Sequence, residues 1–161
     1  EPLGIFGGFN LINLMKTIGL PQDAVLFPQP DDYRRGFSNE QLSAIYTAAD
    51  VTLTTSYGEG FGIATIESQA CGTPTITSGF AASTDLAGPD SYIVNGQPFW
   101  DEAQMAWYSI PVIGSIVDSL KLAHNNKGAP KSQRAIEFAS DFDFEKIWNE
   151  KWIPLLQEHL K

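Results

Sequence analysis

The sequence holds a single cysteine, Cys71, in 161 residues. One thiol cannot build an internal disulfide framework, which fits a reducing, cytoplasmic compartment. Cys71 itself reads as a small buried residue at a helix end. Basic residues are scarce: ten Lys and Arg stand against nineteen Asp and Glu, a net charge of −9. Nucleic-acid binding rests on Lys and Arg at phosphates, so that class is set aside. A diphosphate ligand stays open, because local backbone amides matter there more than net charge. No apolar run is long enough to span a membrane, and no signal-peptide pattern is present. His124 and His159 both read as surface residues. No spacing of His, Cys or carboxylates points to a metal site, and no Ser/His/Asp arrangement is legible. An initiating Met is missing too: the chain opens on Glu1, which is read as the start of a piece of a longer protein.

What is present begins with an apolar content of 43%, enough for a folded core and against disorder. The organising stretch is V-T-L-T-T-S-Y-G-E-G-F-G-I-A-T-I-E-S-Q-A-C-G-T-P-T-I-T, Val51 to Thr77. Val51 to Thr55 are β-formers. Ser56 to Gly60 forms a turn in which Gly58 and Gly60 are free to take φ > 0. Ile63, Ile66 and Ala70 then recur at helical spacing and are expected to share the packed face. Gly72 stops the helix, Thr73-Pro74 cannot continue it, and Thr75 to Thr77 resumes an extended run. That is one βαβ unit with a glycine-rich turn at a helix N-terminus, where unpaired N–H groups favour anions. Glu59 stands in the turn and Glu67 inside the helix, with the amides of Gly60, Phe61 and Gly62 between them. Carboxylates accept hydrogen bonds from hydroxyl pairs. Amides for phosphate flanked by carboxylates for hydroxyls match the needs of a nucleotide sugar.

The segment E59-G-F-G-I-A-T-I-E67, followed by S-Q-A-C-G-T-P, resembles the E-x7-E segment of retaining glycosyltransferases of the GT-B fold, family 4 (group 1) above all. The likeness runs over most of Ala24 to Val94, through D-A-V-L-F-P, L-S-A-I-Y-T-A-A-D-V and T-S-Y-G-E-G-F-G, and fades after Asn95. It implies the C-terminal, donor-binding domain of a two-domain enzyme, read as one domain over residues 1–161. The N-terminal acceptor domain, and the first elements of the donor domain with their basic diphosphate-gripping pair, lie outside it. The resemblance further implies that Glu67 holds ribose hydroxyls. Glu59 and the amides of Gly60, Phe61, Gly62 and Ile63 hold the sugar hydroxyls and the leaving diphosphate, whose charge the amides stabilise. Glu59 orients the sugar and need not be a nucleophile. The donor is expected to be a UDP- or GDP-sugar, with no cofactor and no metal. The full-length protein is cytoplasmic, with a peripheral place at a membrane left open, and the isolated chain is expected to be inactive.

Elsewhere Leu3 to Phe6 reads as a strand and Gly7-Gly8 as a turn. Leu11, Leu14, Met15 and Ile18 mark a helix that Gly19 closes, and Ala24 to Phe27 a buried parallel strand. Pro28 to Phe37 is a polar loop whose Arg34 and Arg35 either meet a phosphate or base or, as preferred, are solvated. S-N-E-Q at Ser38 to Gln41 is a capping box, starting a helix with Leu42, Ile45, Tyr46 and Ala49 inward. A loop follows Ser78-Gly79, with Phe80 where the family often has a second glycine and Asp85 as the nearest acid. Ser91 to Val94 is a further strand. Gln97 to Ile113 crowds Phe99, Trp100, Trp107 and Tyr108 between two prolines. It is either a packed loop, the preferred reading, or an exposed aromatic platform. Ile113 to His124 and Lys131 to Ala139 are helical. Asp141 or Asp143 caps a last helix through Leu160, with Ile147, Trp148, Trp152, Leu155 and Leu156 inward and a kink at Pro154. The fold is therefore α/β: a Rossmann-like parallel sheet with helices on both faces, its ligand crevice outside the carboxyl ends of the strands. Two other functions compete. One is a nucleotide-sugar epimerase on the same architecture; the other is a non-catalytic nucleotide or protein interaction module.

Overall fold

The structure, a computed structural model, describes residues 9–160. The strand and turn expected at Leu3 to Gly8 lie outside the described residues. The chain divides into two compact units, residues 1–41 and 42–161.

In the first unit, α1 (Leu11–Thr17) starts because the Asn10 side chain accepts from the Asn13 amide at 2.9 Å. Gly19, at φ 74°, ends it as expected. A single 3₁₀ turn covers Gln22–Ala24. The strand expected at Ala24 to Phe27 does not form; Leu26 is 93% exposed. A parallel strand is stable only inside a ladder, and no described residue pairs with these. The polar loop expected at Pro28 to Phe37 contains instead a helix, α2 (Pro30–Arg35). Its local chemistry favours one: Pro at the first position, Asp31 and Asp32 in the first turn, Arg34 and Arg35 in the last, and Gly36 at φ 75° after it. Arg34 and Arg35 are exposed. The division between the units falls inside α3 (Asn39–Ala48). The capping box starts it: the Gln41 amide donates to Ser38 Oγ at 3.3 Å and the Ser38 amide to Gln41 Oε1 at 2.9 Å.

The second unit is built on three parallel strands, β1 (Thr52–Thr54), β2 (Thr75–Ser78) and β3 (Tyr92–Val94), in that order across the sheet. α4 (Ile63–Ala70) joins the first two, and a single helical turn, α5 (Ala82–Asp85), lies between the second and third. Register aligns Thr52 with Thr75 and Thr54 with Thr77. Strand alternation then gives the sheet two unlike faces. Ile76 and Val94 point to one, where they pack with Ala123. Thr52, Thr54, Thr75 and Thr77 point to the other, where α4 lies.

That second face reverses one expectation. The buried side of α4 is Thr65, Ser68 and Gln69, while Ile63 is 64% exposed and Ala70 is exposed. The reason is what the helix meets. Thr52 Oγ1 lies 2.7 Å from Ser68 Oγ, and Thr54 Oγ1 3.1 Å from Thr65 Oγ1. Gln69 Nε2 donates to the Leu86 carbonyl at 2.8 Å, and its Oε1 accepts from the Gly88 amide at 2.8 Å. A helix on a threonine face is held by satisfied polar groups rather than by an apolar stripe.

Gly72, at φ 71°, ends α4, and a side chain there would meet Lys131 Cβ at 2.8 Å. The aromatic segment is not a loop but an antiparallel hairpin, β4 (Gly96–Asp101) and β5 (Ala106–Pro111). α6 (Ile113–Asn125) covers the apolar face of the sheet, and α7 (Gln133–Ser140), capped by Ser132, packs on α4. The last helix is three pieces: α8 (Phe144–Ile147), capped by Asp143, a π turn over Trp148–Trp152, and α9 (Ile153–His159). The π turn stands just ahead of Pro154, which has no N–H for the carbonyl of Glu150 and crowds it. The inward face expected there is largely open: Trp152 is 50% exposed and Leu155 46%.

Candidate functional site

The glycine turn leaves the carboxyl end of β1, as the βαβ reading requires. Gly62 is the N-cap of α4 at φ 89°, a left-handed conformation that costs any residue with a Cβ. In the first helical turn the Thr65 amide donates to the Gly62 carbonyl at 3.0 Å, while the amides ahead of it have no carbonyl one turn back to bond. Glu59, Phe61, Gly62 and Ile63 line a cleft of about 620 Å³ there, within the size range of small-molecule sites. Thr54, Thr55, Ser56 and Ser83 add hydroxyls to its wall. Glu59 is exposed. Phe61, 46% exposed, is steadied edge-on by Phe142 at 5.9 Å. The cleft is thus apolar on the Phe61–Ile63 side and hydroxyl- and carboxylate-bearing elsewhere.

Four of the six residues expected at the site share that wall; Gly60 and Glu67 do not line it. Glu67 sits one turn beyond Ile63 on the same face of α4. It is half-buried, and its Oε2 accepts from Tyr46 Oη at 3.0 Å. Burial first, then the bond to Glu67, pushes the Tyr46 hydroxyl up to about 12. A carboxylate has about four acceptor directions, so with Tyr46 on one oxygen it can still accept from other hydroxyls. Asp85 is the exposed last residue of α5. Among the described residues no group of His, Cys, Asp and Glu is arranged to hold a metal ion.

Several residues at the site escaped sequence reasoning. Tyr46, expected only to face inward from its helix, is the partner of Glu67, a residue 21 positions away in sequence. Ser83 reaches the cleft wall from a helix that the sequence did not announce. Ala81, just before that helix, adopts φ 50° and ψ −144°, a region that glycine alone occupies freely. The one available signal in the sequence was Phe80, which stands where the resembled family often has a second glycine.

Fold and cleft together define a Rossmann-like α/β domain with an open site at the carboxyl edge of its parallel sheet. Residues 35–102 match the family described as Glycosyl transferases group 1. The D-inositol 3-phosphate glycosyltransferase of Mycolicibacterium vanbaalenii is 41% identical over 69 residues, 43% of this chain and 14% of that protein. The protein of the same name from Rhodococcus erythropolis is 32% identical over 87 residues, 54% of the chain and 17% of its own length. D-inositol 3-phosphate glycosyltransferase 2 of Catenulispora acidiphila is 35% identical over 96 residues, 58% of the chain and 21% of its length. Residues 35–102 are thus similar to group 1 glycosyltransferases, as are the stretches shared with these relatives. The aligned stretches span from 14% to 21% of these three relatives. No helix among the described residues is long and apolar enough to cross a membrane.

Proposed function

We propose that this chain is the donor-binding part of a retaining glycosyltransferase and holds a nucleotide sugar in the cleft at the N-terminus of α4. The observation that carries the reading is the placement of Glu59, Phe61, Gly62 and Ile63 around one cleft at a helix N-terminus, whose lining also includes Thr54, Thr55, Ser56 and Ser83. The leaving diphosphate lies against the first-turn amides, where the helix dipole favours negative charge. As the glycosidic bond breaks, charge builds on that diphosphate, and preorganised amides stabilise it without reorganising. Glu59 accepts from sugar hydroxyls and orients the ring. Glu67, held by Tyr46, accepts from the ribose. The rest of the enzyme, including the part that selects the acceptor, is supplied by the longer protein, and the chain alone does not turn over. The relatives' name offers D-inositol 3-phosphate as the acceptor to try with that longer protein.

The test is a ligand-observed NMR titration of this chain with UDP, GDP and ADP, each with and without an attached sugar. We expect saturation transfer to the base and ribose of one nucleotide, and its weakening in Glu67→Ala by on the order of 1–3 kcal/mol. Transfer to none of them would sink the donor-site reading and favour an interaction module. Unchanged affinity in Glu67→Ala would remove the ribose assignment alone.

A further inference from the structure

The turn that presents Glu59 is held by a clamp, and the clamp is the aromatic hairpin. Three successive residues ahead of Glu59 are each fixed from outside the turn. The Ser56 carbonyl accepts from Ser78 Oγ of β2 at 2.7 Å. The Tyr57 carbonyl accepts from the Ser109 amide of β5 at 2.8 Å. Gly58 lies flat on the Tyr108 ring: a Cβ there would stand 3.1 Å from Cδ1 and 3.3 Å from Cε1.

The hairpin is built to do this. Ser109 is paired with Pro98, which has no N–H, so their pairing belongs to the non-hydrogen-bonded class. The Ser109 amide is therefore not consumed within the hairpin and points outward to Tyr57. Tyr108 stacks on Phe99 across the strands, with centroids 5.7 Å apart, and Phe99 meets the Tyr57 ring edge-on at 6.1 Å. The Tyr108 hydroxyl donates to the Gln104 side chain in the hairpin's own turn, which fixes the ring's outer end. Exposed glycine turns are ordinarily mobile. This one has the hairpin against it, and Glu59, which follows the three held residues, lines the cleft.

We infer that the β4–β5 hairpin is a positioning element for Glu59, with Tyr108 as its main positioning residue, so that it sets where the carboxylate meets the donor's sugar. This rests on the donor-site reading above. A carboxylate on a loose turn loses the orientation that a sugar hydroxyl pair demands, and small misplacements at such sites carry large penalties.

The experiment has a ligand-free arm and a ligand arm. In the free chain, ¹⁵N relaxation gives backbone order parameters for Glu59 and Gly60, with α6 amides as the control for global folding. Wild type should be near the rigid value of about 0.85, and Tyr108→Leu should fall toward the flexible range below about 0.6, while Tyr108→Phe, which keeps the ring, retains the rigid value. Should Tyr108→Leu fail to fold, Gly58→Ala disturbs the same contact from the turn side. In the ligand arm, affinities for UDP-glucose and GDP-mannose are compared with those for UDP and GDP. Tyr108→Leu should lower the advantage of sugar nucleotide over bare nucleotide by about tenfold and leave the bare nucleotide unchanged. Unchanged order parameters would overturn the inference, as would an equal loss for both ligand types, which marks general structural damage. If the order parameters fall but wild type binds neither ligand type, the donor-site reading has failed and the positioning role falls with it.

Discussion

The unit from β1 to β2 and the β4–β5 hairpin lie side by side and are joined by opposite means. In the first, the contact between helix and sheet is made of threonine, serine and glutamine side chains bonded to one another and to backbone. In the second, two aromatic pairs face each other across the strands, Phe99 with Tyr108 and Trp100 with Trp107. Hydroxyls and amides have fixed directions and fixed partners, so the βαβ unit admits one arrangement at its interface. Rings are held by area and by loose angular preference. The Trp pair remains half open to solvent, 43% exposed at Trp100 and 59% at Trp107. The site draws on both: the polar unit fixes the helix N-terminus, and the inner ring pair presses on the turn in front of it.

The sharpest way to break this contrast is at Gln69. Gln69→Leu keeps the volume but orphans the buried Gly88 amide and Leu86 carbonyl. Each unsatisfied buried group costs about 1–3 kcal/mol, so the loss should be about 2–6 kcal/mol in urea unfolding. A loss under about 1 kcal/mol would mean that the polar interface is not what holds α4 to the sheet. Replacing both Trp100 and Trp107 by Thr should cost much less, about 1 kcal/mol, because exposed cross-strand pairs contribute modestly. A loss as large as that of Gln69→Leu would erase the distinction between the two regions.

The same contrast explains what was legible in the sequence. The order strand, turn, helix, turn, strand around Gly58 to Pro74 was readable because glycine and proline punctuate it and because their conformations are local properties. So was the capping box at Ser38 to Gln41, whose two bonds join neighbours. The face of α4 was misread because periodicity weighs Ile63 and Ile66 as apolar and ignores what stands opposite. Thr52 and Thr54 decide that question, and they reach the helix only through the fold. The hairpin was missed for a related reason. Two prolines bound the aromatic stretch, and proline is rare inside strands, yet Pro98 occupies a position whose N–H would have pointed away from the ladder. Glu59, Phe61, Gly62 and Ile63, which line the cleft, are neighbours in sequence and so were expected together. Tyr46 and Ser83 were not, since each comes to the site from a separate element and bears no mark of it in sequence.

Tyr46 offers the gentlest test, and it sits on the polar side of the comparison. Its hydroxyl donates to Glu67, and its folded value of about 12 stands above the ordinary 10.0. The folded state therefore holds this proton more tightly than the unfolded chain does. The stability tied to it is fully present below pH 10.0 and is lost as pH rises through about 12. Tyr46 is only half-buried, so solvent screening keeps the effect below that of either earlier substitution. Urea midpoints followed across that alkaline window should fall more steeply in wild type than in Tyr46→Phe, which has no proton to lose there. A steeper fall in wild type would show that the folded state holds the Tyr46 proton through burial together with the bond to Glu67. Parallel slopes in the two proteins would instead mean that the Tyr46–Glu67 bond contributes nothing to stability, leaving Glu67 positioned by its helix alone.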